Sequence, residues 1–260
     1  MPHSVKRAAR ILGAGLISTF LNSCGSSTAP PPLLSVLTQT QESACYIYHL
    51  SPGDSVNAAY DDAFCAWISA QVGVKLSGKI QYYKFKDAAQ LSQLTGNSVN
   101  GYSNPANQEI YSVWPADNHE TTHVFTAFLG TPPPFFNEGM AVANQTDPLA
   151  GVYTPSWNGL GPHFWAKQLL QQGIMPSISG VIDQKGFSAL DPNATYPMAG
   201  SFVRYLIDTT SMATVLKLFP GASYSDSAAT TEARFQAIFD EPLTTTEQNW
   251  HAFLLQYQGL

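Results

Sequence analysis

The segment His119-Glu120-Thr121-Thr122-His123 holds residue types at a spacing that could assemble a reactive centre. On a helix, two histidines four positions apart stand one turn apart on the same face. Both imidazoles can then reach one zinc ion, while the intervening glutamate is directed at the water that such a metal carries. Fourteen residues separate His123 from Glu138, which lies in Asn137-Glu138-Gly139-Met140-Ala141. Two histidines and one carboxylate leave the fourth tetrahedral position to solvent, as in catalytic rather than structural zinc sites. The chemistry to expect is metal-dependent hydrolysis, with His119, His123 and Glu138 holding Zn2+ and Glu120 acting as general base.

The flanking residues supply what such a centre needs. Asp117 or Asn118 can cap the motif helix, Val124, Phe125, Phe128 and Leu129 give it buried sides, and Gly130 closes it before Pro132-Pro133-Pro134. A second helix begins near Phe135 and carries Glu138, Ala141 and Val142 inward, so a tight proline loop can bring the Glu138 carboxylate against the histidine pair.

Upstream, residues 45–49 read as a strand, 51–54 as a turn and 57–71 as a helix with Tyr60, Phe64, Trp67 and Ile68 on one side. Alternation over residues 79–86 predicts a strand, Asp87 caps a short helix that Gly96 stops, and 96–107 reads as an Asn/Gly/Pro-rich loop. Residues 109–114 form a further strand, ended by Pro115. This first lobe is α+β, and its last strand leads into the metal helix.

The N-terminus reads as an export signal. Lys6, Arg7 and Arg10 precede an apolar core from Ile11 to Phe20, too short to span a bilayer. Leu21-Asn22-Ser23-Cys24 resembles the bacterial lipobox, with Asn22 a less usual filler, and implies that Cys24 is lipidated and begins the mature chain. An ordinary signal peptide cut nearby is the alternative. With Cys24 so used, Cys45 and Cys65 remain, and two thiols in an exported protein most simply pair as a disulfide.

Composition agrees with export and excludes one partner class. Charged residues are 12% of the chain, about half the usual 25%. The net charge of -6 becomes -9 without residues 1–23, which carry three basic residues and no acid. Nucleic acid is therefore not an expected partner.

The chain resembles the gluzincin metallopeptidases with peptidase MA-like domains. Three segments carry the resemblance: the two motifs above, and Tyr196-Pro197-Met198-Ala199-Gly200-Ser201-Phe202-Val203-Arg204-Tyr205-Leu206, which is similar to the family's helix behind the active site. The pattern from Phe235 to Phe239, followed by Trp250-His251-Ala252-Phe253-Leu254, is similar to its closing segment. Coverage runs from about Ile80 to the C-terminus. The resemblance implies a zincin-like fold, peptide or protein substrates, zinc on His119, His123 and Glu138, and Glu120 as base. It also offers Tyr196, ahead of a helix expected to face the cleft, as oxyanion donor; a structural tyrosine is the alternative. Two features depart from the aminopeptidases of the family. The spacing to Glu138 is shorter, and no Gly-x-Met-Glu-Asn motif lies upstream to hold a free amine, so endopeptidase action stays open. Val142 stands where thermolysin-like enzymes place an aspartate, which leaves the outer partners of the histidines unnamed. Arg204 is expected in a structural ion pair, His163 at the surface, and His49 and His251 in structural roles.

The reading is thus an α+β, zincin-like exported lipoprotein. Residues 1–23 are the signal, 24–40 a flexible tether, 41–118 the N-terminal lobe and 119–260 a zinc-binding, mainly helical lobe. Its expected place is the cell envelope, anchored through Cys24 to a membrane, with the outer membrane favoured. A catalytically inactive zincin-like binding lipoprotein, a purely structural one, and a carbohydrate-binding module using Trp157 and Tyr153 are the alternatives.

Overall fold

Tyr46, Tyr48 and Leu50 are buried while Ile47 and His49 between them are half-exposed, as a strand lying on a core by one face requires. In a computed structural model the described residues are 32–145 and 156–259. The signal segment, Cys24 and Tyr153 lie outside them. Among the described residues, no helix is long and apolar enough to cross a membrane.

A short helix α1 (Leu33–Val36) leads into strands β1 (Gln39–Glu42) and β2 (Tyr46–Leu50), so regular structure begins inside the stretch expected as tether. Helix α2 (Ala58–Val72), strand β3 (Ile80–Lys84) and helix α3 (Ala88–Thr95) follow. Asn57 and Asp87 cap the two helices with their side chains, and Gly73 and Gly96 end them in left-handed geometry. Strands β4 (Gly101–Asn104) and β5 (Glu109–Ser112) complete a mixed sheet in the order β1-β2-β3-β5-β4. The central pairs β2/β3 and β3/β5 are parallel, and the two edges are antiparallel.

β4 falls in the stretch read as a loop. Its four residues are all half-buried, so no alternation marks them, and backbone pairing to β5 alone defines the strand.

Helices α2 and α4 (Asn118–Thr126) cover one sheet face, with Phe64, Ile68, Val124 and Phe125 packed on Tyr46, Tyr48, Tyr82 and Ile110. Cys45 and Cys65 form a disulfide that ties the start of β2 to α2. Asp62 reinforces the join by accepting hydrogen bonds from Ser43 Oγ and from the amides of Ala44 and Cys45. On the opposite face, His49, Tyr83, Tyr111 and Tyr102 are register partners on four neighbouring strands. Their rings stack in file at centroid distances of 4.7, 4.8 and 4.6 Å.

The rest is helical: α5 (Pro134–Asn144), α6 (Pro162–Gln171), α7 (Ile178–Val181), α8 (Gln184–Ser188), α9 (Pro192–Thr209), α10 (Met212–Val215), α11 (Ala228–Phe239) and α12 (Leu243–Gln256). Phe135, Phe136, Phe202, Phe235 and Trp250 centre this second core. Its most extensive helix contact is between α5 and α9. A Cβ on Gly139 would lie 2.8 Å from the Ala199 carbonyl oxygen, and one on Gly200 would lie 2.2 Å from Val142 Cγ1. Glycine is unfavourable inside a helix by roughly 1 kcal/mol; here it lets two backbones meet, and so sets the depth of the helix that carries Glu138. Val142, fully buried against Gly200, belongs to this packing.

Candidate metal centre

The centre starts from the end of β5. Ser112, its last residue, donates a 2.7 Å hydrogen bond from Oγ to Asp117 Oδ2, and Asp117 Oδ1 accepts the Glu120 amide at 3.1 Å. Asp117 is thereby both the cap of α4 and its tie to the sheet. Burial, and next the Glu120 charge, raise its pKa to about 6. One turn along α4, Thr121 Oγ1 donates to the Asp117 carbonyl, which leaves it as acceptor for the Tyr46 hydroxyl at 3.1 Å. These bonds fix the rotation of α4 and turn His119 and His123 towards α5. The helix ends at Thr126, short of the expected stop; Gly130 instead adopts φ 141° where a Cβ would strike the Phe219 carbonyl.

Pro134 opens α5 at a position that needs no amide donor, and Glu138 follows one turn later. His119 Nε2 and His123 Nε2 are 3.1 Å apart, and each is 3.1 Å from Glu138 Oε2. A tetrahedral zinc with bonds of about 2.0–2.1 Å keeps its ligand atoms about 3.3 Å apart, so this donor set fits zinc. The charges fit as well. Burial pushes the His119 ring towards neutrality, but Glu138, Glu120 and Asp117 outweigh it and hold its pKa up at about 9. Burial raises the Glu138 carboxyl in turn, and the two imidazoles overcome that and pull it well below the carboxylate range. Three carboxylates around two imidazoles form a site that a divalent cation would neutralise.

The remaining residues surround this triangle. Glu120 Oε2 accepts a 2.8 Å hydrogen bond from Ser103 Oγ of β4. Gln145, at the C-terminal end of α5, places Oε1 3.3 Å from His119 Nδ1. An Nδ1–H donated to that amide leaves Nε2 with its lone pair towards Glu138, the tautomer that metal ligation needs. Tyr196 lies within α9, four residues after its start rather than ahead of it. Its ring stacks on His119 at 6.1 Å, between Trp157 at 5.1 Å and Phe187 at 5.4 Å. Burial, then the Glu138 charge, raise its pKa, so the phenol keeps its proton.

Sequence reasoning missed Ser103, Gln145 and Tyr224, which also lines the cleft. Gln145 had a signal, since it follows Glu138 by seven residues and so shares its helix face. Ser103 and Tyr224 had none that type or spacing reveals.

Other residues fall outside the centre. Arg204 pairs with Asp208 one turn along α9. His49 stacks on Tyr83 and bonds Gln81. His163, expected at the surface, is buried: its Nδ1 is 2.8 Å from Ser201 Oγ, which also accepts from Trp250 Nε1. The reason is its place in the first turn of α6, facing α9 and α12 rather than solvent.

No protein-family model matches the chain, and no curated protein matches it.

Proposed function

We propose that the protein is a zinc-dependent peptidase of gluzincin type, with a zincin-like fold, that works at the bacterial cell envelope. The observation that carries the reading is the convergence of His119 Nε2, His123 Nε2 and Glu138 Oε2 on one point, beside a glutamate from the same helix that faces the same cleft. Zinc bound there supplies a Lewis acid that acidifies water and polarises a carbonyl. Glu120 takes the proton of the attacking water and passes it to the leaving amine. Ser103 holds the Glu120 carboxylate in place for that transfer. Tyr196 donates its hydroxyl to the oxyanion as the carbonyl becomes tetrahedral. β4 is the sheet's edge and lines the cleft, so an extended substrate can pair with its outward backbone groups. Cys24 carries the lipid that anchors the protein, and Cys24→Ser is expected to release it from fractionated membranes.

The deciding experiment compares purified protein and Glu120→Gln for zinc content and for hydrolysis of unfolded casein. About one zinc per chain is expected in both, with hydrolysis reduced about 10²- to 10⁴-fold in the variant. Equal hydrolysis by both forms removes Glu120 as base; a chain that takes up no zinc removes the centre.

A further inference from the structure

The cleft over the centre encloses about 1860 Å³, beyond the roughly 300–1,000 Å³ of a small-molecule pocket and suited to several residues of chain. Its charges are confined to one place. Among the described residues that line it, the charged or titrating acids and imidazoles are Asp117, His119, Glu120, His123 and Glu138, all at the centre, and no Lys or Arg appears. Away from the centre, a terminal carboxylate or an acidic side chain of a substrate thus meets no Lys or Arg among the described residues.

The walls are uncharged instead, with Asn, Ser, Thr and Gln side chains beside apolar ones. Four of the eight large apolar side chains exposed among the described residues line this cleft: Val99, Trp114, Phe128 and Tyr224. Trp114 is 52% and Phe128 54% exposed, in a protein whose other aromatic rings mostly pack inside. Concentrated exposed apolar surface marks a place where something docks. The two rings also flank the metal helix: Trp114 precedes its cap Asp117, and Phe128 follows its last turn. Nine helical residues span about 14 Å, a length that about four residues of extended peptide cover. His119 and His123 lie between those ends.

We infer that the cleft selects an internal, uncharged stretch of polypeptide with bulky apolar side chains on both sides of the bond presented to the centre, and that Trp114 and Phe128 make the selection. The inference rests on the peptide-hydrolase reading, yet it concerns binding and is tested without turnover.

The test measures binding of fluorescently labelled octapeptides, acetylated and amidated at their ends, to the purified protein in the presence of chelator. One peptide carries Phe and Leu at its third and sixth positions in a Ser/Asn/Gly background; others carry Glu or Lys there, and one apolar peptide has free ends. The apolar peptide is expected to bind at least tenfold tighter than the charged ones, and freeing its ends should change affinity less than twofold. Trp114→Ser and Phe128→Ser should each weaken it about tenfold, leaving charged peptides and thermal stability unchanged. Equal affinity for apolar and charged peptides, a tenfold gain from a free end, insensitivity to both serine variants, or no binding up to millimolar concentration overturns the selection. Tight apolar binding by a protein that hydrolyses nothing would support the selection while removing the peptidase.

Discussion

Along α4 the buried residues are Glu120, Thr121, Thr122, His123 and Thr126, with Val124 and Phe125 on the sheet; along α5 they are Phe135, Phe136, Gly139, Met140, Ala141, Val142 and Ala143 with Pro134 and Asn144. The two helices bring their ligands to one point by different means. α4 is oriented by hydrogen bonds to the sheet, from Ser112 to Asp117 and, one turn on, from Tyr46 to Thr121. α5 is oriented by shape, through the glycine contacts with α9. A hydrogen-bonded helix should tolerate small changes of volume and suffer from lost donors, and a fitted helix should do the reverse.

The strongest way to break this contrast is Gly200→Val. It places three carbons where even one would overlap Val142, and overpacking of this kind costs about 3 kcal/mol or more. Denaturant unfolding is expected to show that loss, with zinc uptake falling alongside; a midpoint unchanged from wild type would show that the fit between α5 and α9 is loose.

The two sides should also answer pH with opposite slopes. Asp61, under the sheet, accepts the Tyr48 hydroxyl at 2.9 Å; burial raises its pKa to about 7. Between the unfolded value of about 4 and that value, the folded chain holds a proton that the unfolded chain has lost, so this group's contribution to stability falls as pH rises. His163 does the opposite. Burial lowers its pKa to about 4, so between about 6.5 and 4 the unfolded chain takes a proton that the folded one refuses, and stability falls as pH falls. Relative to wild type, Asp61→Asn should gain stability progressively from pH 4 to 7, and His163→Gln should gain it from pH 6.5 down to 4. Each difference should reach roughly 2–4 kcal/mol. Parallel pH curves for either variant and wild type would remove its group from the account.

A smaller effect sharpens the comparison at the centre itself. Gln145→Ala removes the acceptor for His119 Nδ1 and should weaken zinc affinity 10- to 100-fold, measured by competition with a chromophoric chelator, at nearly unchanged melting temperature. Smallest of all, Tyr46→Phe deletes one donor to Thr121 and should cost about 1 kcal/mol in urea. A larger cost, or a comparable loss of zinc affinity, would mean that the sheet side sets ligand position more tightly than proposed.

How much could be read from residues alone follows the same division. The motif helix, the glutamate helix and the pairing of Cys45 with Cys65 announce themselves through fixed spacings, caps, prolines and simple cysteine arithmetic. The helix containing Tyr196 was visible from its apolar run, although Asp191 and Pro192 start it earlier than the run suggests. β4 was hidden because an edge strand half-buried on both faces has no period of two, and the Asn/Gly/Pro-rich stretch around it resembles a turn. Its clue was the short Pro105–Asn107 turn just ahead of β5, which makes the pair a hairpin. The Ser103 contact with Glu120 went with it. His163 misled because a polar residue beside Gly and Pro reads as surface, while its partners Ser201 and Phe253 come from distant helices.

The file of stacked rings across the outer face of the sheet has an optical consequence. Phenols of Tyr83, Tyr111 and Tyr102, held nearly parallel and under 5 Å apart by strand register, share their electronic excitations, and the twist of the strands makes that sharing chiral. Near-ultraviolet circular dichroism should therefore carry a split tyrosine band that belongs to the sheet alone. The part of it owed to Tyr102 would vanish if β4 slipped by one residue, long before the helices lost any signal.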